Sequence, residues 1–385
     1  MAFIGDGKKS ASDHNAPGLP RPPKVVNGNV PARLPWLVAA SPTCILACPM
    51  RVILVGLGVM GVNHLRVLRS LPELCTVAGV VEPNGERHGL AQVGGSCAVY
   101  SSVGQAIAEA TPDAFVVASP TSTHFLVGRE ILEAGIPLLL EKPIAQSAAE
   151  GRALQELAEK RAVPLMVGHI ERFNPAVVAA RHIVREGQVG DILNVSARRV
   201  GGTPRDIGKA GDVLVDLAVH DIDIATWLVG PPTLRGALGQ RNDLGSVNSA
   251  SMLFQAGGAT VDIHVNWVTP VKIREIQVTG TQGYLHVNLI TQKIAFTRQN
   301  PLLTSSKSNE GFYYDEYVAS FATPDRIDVG IRNREPLQEE LKAFLKALAA
   351  KHEMPVSAAV GVAALDLAEQ ARRAVEDRIS QPGPK

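Results

Sequence analysis

Aromatic residues are scarce, at 4% of 385. A platform for single-stranded nucleic acid needs rings to stack on, and a formal net charge of +1 supplies no basic field. Nucleic acid is therefore not an expected partner. Cysteine is sparse too. Cys44, Cys48, Cys75 and Cys97 are all there are, and no second pair at metal spacing completes Cys44 and Cys48. They read as reduced thiols of a cytoplasmic protein. No apolar run is long enough to span a bilayer. The mildly apolar 34–48 is short and interrupted by Pro35 and Pro42. No Lys/Arg run borders an apolar helix, so no membrane partner is expected.

Residues 1–49 are crowded with proline and lack sustained periodicity. They read as a disordered extension or an over-called start, with Met50 as the natural beginning. The remainder is long enough for two cores, expected as a dinucleotide-binding domain over 50–170 and a substrate and oligomerisation domain over 171–380.

The chain is organised around 51–66, RVILVGLGVMGVNHLR. Val52 to Val55 form the apolar run of a buried parallel strand. Gly56, Gly58 and Gly61 then give the G-x-G-x-x-G spacing of a dinucleotide-binding turn, with Val59 and Met60 between the last two. Gly56 allows the turn, Gly58 lets a pyrophosphate approach, and Gly61 lets helix and strand pack. The N-terminus of the helix adds unpaired N–H groups and a positive dipole end. Glu82 ends the next strand, about 20 residues on, where a carboxylate takes the adenosine ribose hydroxyls. It favours NAD over NADP, although Arg87 lies close by in sequence.

Strands and helices alternate to residue 168, which predicts an α/β fold with a doubly wound parallel sheet. Ser119, Thr121 and His124 stand at a strand C-terminus, where such sheets bind ligands. Beyond 187 the chain turns to β-branched runs with period-two alternation, as in Thr260 to Trp267. These predict an open, mostly antiparallel sheet, interrupted by a helix over 213–228 and closed by helices over 336–351 and 357–378. The stretch 299–328 reads as loop.

Three groups carry candidate chemistry. Lys142, between Glu141 and Pro143, ends a parallel strand and points toward the ligand crevice; the plainer alternative is a solvated lysine. Asp216 and His220 are four apart, on one helix face if the helix is regular. A carboxylate beside an imidazole fixes its tautomer and raises its basicity, which suits it to take a hydroxyl proton. A structural pair is the alternative. A metal set of Asp216, His220, Asp221 and Asp223 is set aside, because the two later aspartates point elsewhere, and no metal is expected. Finally, Arg172, Arg198, Arg199 and Arg205 gather cations that read phosphate. His169, His182, His264 and His286 have no comparable partners and read as structural.

Gly56-x-Gly58-x-x-Gly61, Glu141-Lys142-Pro143 and Asp216-x-x-x-His220, in this order, resemble the glucose–fructose oxidoreductase / inositol dehydrogenase / rhizopine-catabolism (Gfo/Idh/MocA) oxidoreductase family. The resemblance runs from Met50 to about Arg378. It implies a Rossmann domain, an α+β domain that often mediates oligomers, NAD as cofactor, and Lys142, Asp216 and His220 as catalytic residues. It also places Glu141, Lys142 and Arg172 near the cofactor, and Arg199, Arg205 and Asn174 near the substrate. Gly168 to Pro175, Arg199 to Gly201 and Glu335 to Leu337 look most like the UDP-N-acetylglucosamine 3-dehydrogenases of that family. This implies a nucleotide-sugar substrate oxidised at the 3-hydroxyl, a downstream PLP aminotransferase for lipid A or surface polysaccharide, and a homo-oligomer. Two alternatives stay open: a dehydrogenase of an unphosphorylated polyol such as inositol, and a non-enzymatic NAD-binding regulator.

Overall fold

The structure is a computed structural model and describes residues 48–202, 211–299 and 325–379. The expected extension over 1–49 lies outside these residues except at its last two.

The first half is a six-stranded parallel sheet. Its strands are β1 (Met50–Val55), β2 (Cys75–Val81), β3 (Ala98–Tyr100), β4 (Ala114–Val117), β5 (Leu138–Glu141) and β6 (Leu165–Gly168). Their order is β3-β2-β1-β4-β5-β6, the doubly wound arrangement whose ligand crevice opens between β1 and β4. β4, β5 and β6 are buried at every position, as helices on both faces require. Those helices are α1 (Val59–Arg69), α2 (Val103–Ala110), α3 (Thr121–Glu133) and α4 (Ala148–Arg161). Ser102 and Ser147 cap α2 and α4, accepting from the backbone of Gln105 and Glu150.

After α5 (Pro175–Arg185) comes an eight-stranded sheet. It contains β7 (Ile192–Val200), β8 (Thr233–Arg241), β9 (Val247–Ala256), β10 (Ala259–Asn266), β11 (Ile273–Gly280), β12 (Gly283–Asn288), β13 (Lys293–Arg298) and β14 (Arg326–Asp328). The order is β14-β13-β12-β11-β7-β10-β9-β8. Every pairing is antiparallel except β10 with β7. One face is buried in strict alternation, as β11 and β12 show. β13 and β14 are additions to the expected set, and β14 occupies the end of the stretch read as loop.

A helical segment crosses the buried face of this sheet. It begins as a π turn, Leu214–Ala218, and continues as α6 (Val219–Val229). The last helices, α7 (Pro336–Ala350) and α8 (Ala358–Ile379), do not stay with the second sheet. Leu337, Leu341, Phe344 and Leu345 of α7 join the core of the first sheet, as do Val362 and Leu365 of α8. Ala368, Ala371 and Val375, further along α8, join the core of the second. Packing thus does not follow chain order at the C-terminal end, and α8 ties the two cores together.

Candidate active site

The glycine turn has the geometry a dinucleotide needs. Gly56 has φ +94, and a Cβ there would lie 2.9 Å from Ala118 O. A Cβ on Gly61 would collide with the Gly56 carbonyl. At Gly58 a Cβ would meet nothing within 4 Å, so that glycine borders open space where a ligand backbone passes. Val59 and Met60 open α1 and are 81% and 38% exposed, beside the open space at Gly58. Glu82 is buried at the end of β2, its Oε2 accepting from Leu57 N at 2.8 Å and its Oε1 from Asn84 N at 3.0 Å. Arg87 Nη1 stands 4.0 Å from the same carboxylate. The residues present fit a dinucleotide: a turn with room at Gly58, a helix N-terminus, and an acidic strand end.

Lys142 leaves the end of β5 and reaches the second half of the chain. Its Nζ donates to the Asp216 carbonyl at 2.9 Å and lies 3.5 Å from Asp216 Oδ1. Asp216 Oδ2 accepts from Trp267 Nε1 at 3.2 Å. No side-chain hydrogen bond joins Asp216 to His220. The expected pairing of these two is thereby corrected, and the π turn is the reason. Its wider winding takes Asp216 out of the regular helical register that a four-residue spacing assumes, and its carboxylate serves Lys142 instead.

His220 lines the cavity, with Nδ1 shielded from solvent and without a hydrogen-bond partner among the described residues. Burial, followed by the charges of Lys142, Arg199, His169 and Arg274, holds its pKa well below the ordinary histidine value. The expectation of a carboxylate-raised basicity is therefore also corrected. The ring is neutral, and its cavity edge is the one left to take a proton.

The cavity measures about 330 Å³ and is lined by Glu171, Arg199, Asp216, His220, Lys272 and Arg274 among others. Arg199 is buried, with Nε and Nη2 on Asp221 at 2.8 and 2.9 Å and Nη1 on Glu171 at 2.9 Å. Three of its five N–H groups are committed to protein carboxylates, so the expected substrate arginine is first a strut joining β7, α6 and the turn after β6, with one edge left on the cavity. Arg172 is likewise held, Nε and Nη2 each 2.8 Å from Asp223, with its guanidinium 5.3 Å from the Trp227 ring centroid. It braces α6 and offers the cofactor no free fork. Asn174 caps α5, accepting from Ala176 N at 3.1 Å and donating to Leu289 O at 3.0 Å. That makes it a buried cap and not a substrate contact. His124 is also buried, its ring nitrogens 2.8 Å from Pro143 O and 3.0 Å from Ser119 O. It laces the β4 end to the β5 end and does not face the crevice, whereas Ser119 and Thr121 remain half-buried beside it. Glu141 is buried, with one carboxylate oxygen against His64 at 2.7 Å and the other accepting from the Lys142 backbone N–H at 3.1 Å. Arg205 lies outside the described residues.

Two cations escaped sequence reading. Lys272 and Arg274 come from the start of β11, and among the described residues neither pairs with a carboxylate. Arg274 is held by the carbonyls of Val200, Gly201 and Ile273. Their only signal in the sequence is a Lys-x-Arg opening a strand, which is too common to single out. The buried pairs Arg199–Asp221 and Arg172–Asp223 left no signal at all, because the partners are 22 and 51 residues apart.

A dinucleotide turn on a doubly wound sheet, with a lysine, an aspartate and a neutral histidine meeting at its edge, defines a two-part NAD-dependent dehydrogenase. The sequence comparisons agree. Residues 50–169 match the profile described as "Oxidoreductase family, NAD-binding Rossmann fold", and 177–286 match "GFO/IDH/MocA C-terminal domain". The chain belongs to the GFO/IDH/MocA oxidoreductase family. It is 28% identical to the UDP-N-acetylglucosamine 3-dehydrogenase of Acidithiobacillus ferrooxidans, covering 85% of this chain and 97% of that one. A crystal structure of that enzyme superposes with a TM-score of 0.72 at 26% identity, covering 85% and 98%. The inositol 2-dehydrogenase of Rhizobium meliloti is 27% identical over 70% of this chain and 81% of its own. The WlbA dehydrogenase of Bordetella pertussis, solved with NADH and UDP-GlcNAcA, shares the fold at TM-score 0.72 and 20% identity, covering 86% and 97%. The chain is an NAD-dependent sugar dehydrogenase.

Proposed function

We propose that the substrate is UDP-N-acetylglucosamine and that its 3-hydroxyl is oxidised to the 3-keto sugar. The observation that carries this reading is the cationic wall of the cavity. Lys142 is offset by Asp216, and Arg199 is more than offset by Asp221 and Glu171. Lys272 and Arg274 then leave the site with a positive surplus suited to a diphosphate. The near full-length likeness to a UDP-N-acetylglucosamine 3-dehydrogenase supports it.

In this reading the sugar hydroxyl sits between Lys142 and His220. Lys142, braced by Asp216, donates to the substrate oxygen and stabilises charge on it as the carbonyl forms. Neutral His220 takes the hydroxyl proton on its cavity edge. Gly56, Gly58 and Gly61, with Glu82 at the ribose, would hold NAD, which would supply the hydride acceptor. The ketone suits a PLP aminotransferase as the next step, and the open face of the eight-stranded sheet suits a homo-oligomer. The reading is tested by NADH absorbance across UDP-N-acetylglucosamine, N-acetylglucosamine and myo-inositol. It expects turnover of the nucleotide sugar at the lowest KM. Preference for inositol, the substrate class of the Rhizobium meliloti relative, would replace it.

A further inference from the structure

Away from the cavity, three buried polar groups converge behind the Lys142 strand end. His64 lies on α1, the helix that begins at the glycine turn, and is wholly buried. Its Nε2 is 2.7 Å from Glu141 Oε1, and among the described residues its Nδ1 has no hydrogen-bond partner. Glu340 lies on α7, which packs against α1. It too is wholly buried, and neither carboxyl oxygen has a partner among the described residues. A buried ionised carboxylate without partners is very costly. Burial, with the charge of Glu141 nearby, pushes Glu340 well above the ordinary carboxylate range. Burial also disfavours charge on Glu141, but the hydrogen bond and charge of His64, with Lys142, outweigh it and hold that carboxyl low.

Two carboxyls whose surroundings drive them apart take different protonation states. Glu141 is the ionised one and Glu340 the neutral acid. A neutral acid has one O–H to give. An imidazole that donates through Nε2 has one lone pair, on Nδ1, to receive it. The unpartnered atoms on α1 and α7 are chemical complements, and buried polar atoms too far apart to bond directly are commonly joined by water.

We propose that Glu340 is a positioning residue: its O–H serves His64 Nδ1 through a buried water, which locks His64 in the tautomer that donates to Glu141 and so fixes the strand end carrying Lys142. The chain of donors is then complete. Glu340 O–H reaches the water, and the water reaches Nδ1. His64 Nε2–H reaches Glu141 Oε1, and Glu141 Oε2 accepts the Lys142 backbone N–H at 3.1 Å. The relay ties the helix under the cofactor to the cation beside the substrate. Its kinetic consequence rests on Lys142 as that cation; its protonation state does not.

The test has two arms on the full chain with NAD bound. The infrared difference between wild type and Glu340→Gln at neutral pH is expected to show a protonated carboxyl C=O band. Ionised-carboxylate bands in its place would overturn the relay whatever the substrate. In steady state, Glu340→Leu is expected to lose roughly tenfold in kcat, with KM for NAD and Tm near wild type. Glu340→Gln, which keeps a donor and an acceptor, is expected to recover most of that loss. A Glu340→Leu enzyme with wild-type kcat would overturn the positioning role. If that variant does not fold, His64→Gln reads the same relay and is expected to show the same loss; wild-type kcat there would overturn it equally.

Discussion

Burial and the charges of Lys142, Arg199 and Arg274 disfavour the imidazolium of His220, so the ring stays neutral well below the pH at which a free histidine charges. A group of that kind accepts a proton transiently, when a negative oxygen forms beside it. His220→Ala is expected to keep NAD affinity and to lose on the order of 10²–10⁴ in kcat. Single-turnover NADH formation with a parallel NAD titration measures both, and near-wild-type turnover would remove His220 from the site. Arg199 makes a contrasting case. Its guanidinium is spent on Asp221 and Glu171, and burial notwithstanding, their charges hold it above the ordinary arginine value. Arg199→Ala is expected to cost about 3–5 kcal/mol of stability, the penalty of leaving buried carboxylates unpaired. Denaturant unfolding measures this. A variant of unchanged stability whose only defect is a higher KM would return Arg199 to the substrate.

At the scale of elements, the glycine turn separates folding from binding. Gly61 is needed for α1 to lie against β1, whereas Gly58 faces open space. Gly58→Val is expected to fold with a Tm near wild type and to bind NAD at least tenfold more weakly, about 1.4 kcal/mol or more. Calorimetry on one sample reads both, and unchanged NAD affinity would move the cofactor off this turn. That turn was legible because its chemistry is local: three glycines, a strand before and a helix after. The Lys142 strand end was legible for the same reason. The role of Asp216 was not, because a four-residue spacing implies a regular helix and nothing in Leu214–Ala218 announces a π turn. Nor were the long-range pairs of Arg172, Arg199 and His64, whose partners come from other elements. Asn174 and His124 were misread as ligand contacts for a related reason. Both follow the strand ends closely in sequence, His124 in the first turn of α3 and Asn174 as the cap of α5, but caps and carbonyls take up their polar atoms.

In the whole molecule, α8 bridges two cores and the site forms where β5 meets the π turn, so global stability and the site share their ionisable groups. His124, His169 and His220 all have pKa values lowered by burial. Between those lowered values and about 6.5 the unfolded chain binds more protons than the folded one. Their contribution to stability is therefore complete above about 6.5 and is lost as pH falls through the folded values. Glu340, raised in the folded state, acts in the opposite sense, favouring the fold most at low pH and less as pH rises. His264, also lowered by burial, joins these histidines, and the raised Asp212 and Asp221 join Glu340. The histidines, whose unfolded value is the highest of these, set the direction just below about pH 6.5, where Tm is expected to fall. A scanning-calorimetry series checks this, and a flat or rising Tm would contradict it. The central claim is the transfer of hydride from C3 of a nucleotide sugar within this site. It is tested most directly with UDP-N-acetylglucosamine deuterated at C3 and unlabelled NAD, followed by mass analysis of the reduced cofactor. The account predicts NADH carrying one deuterium; unlabelled NADH, or none formed, would contradict it.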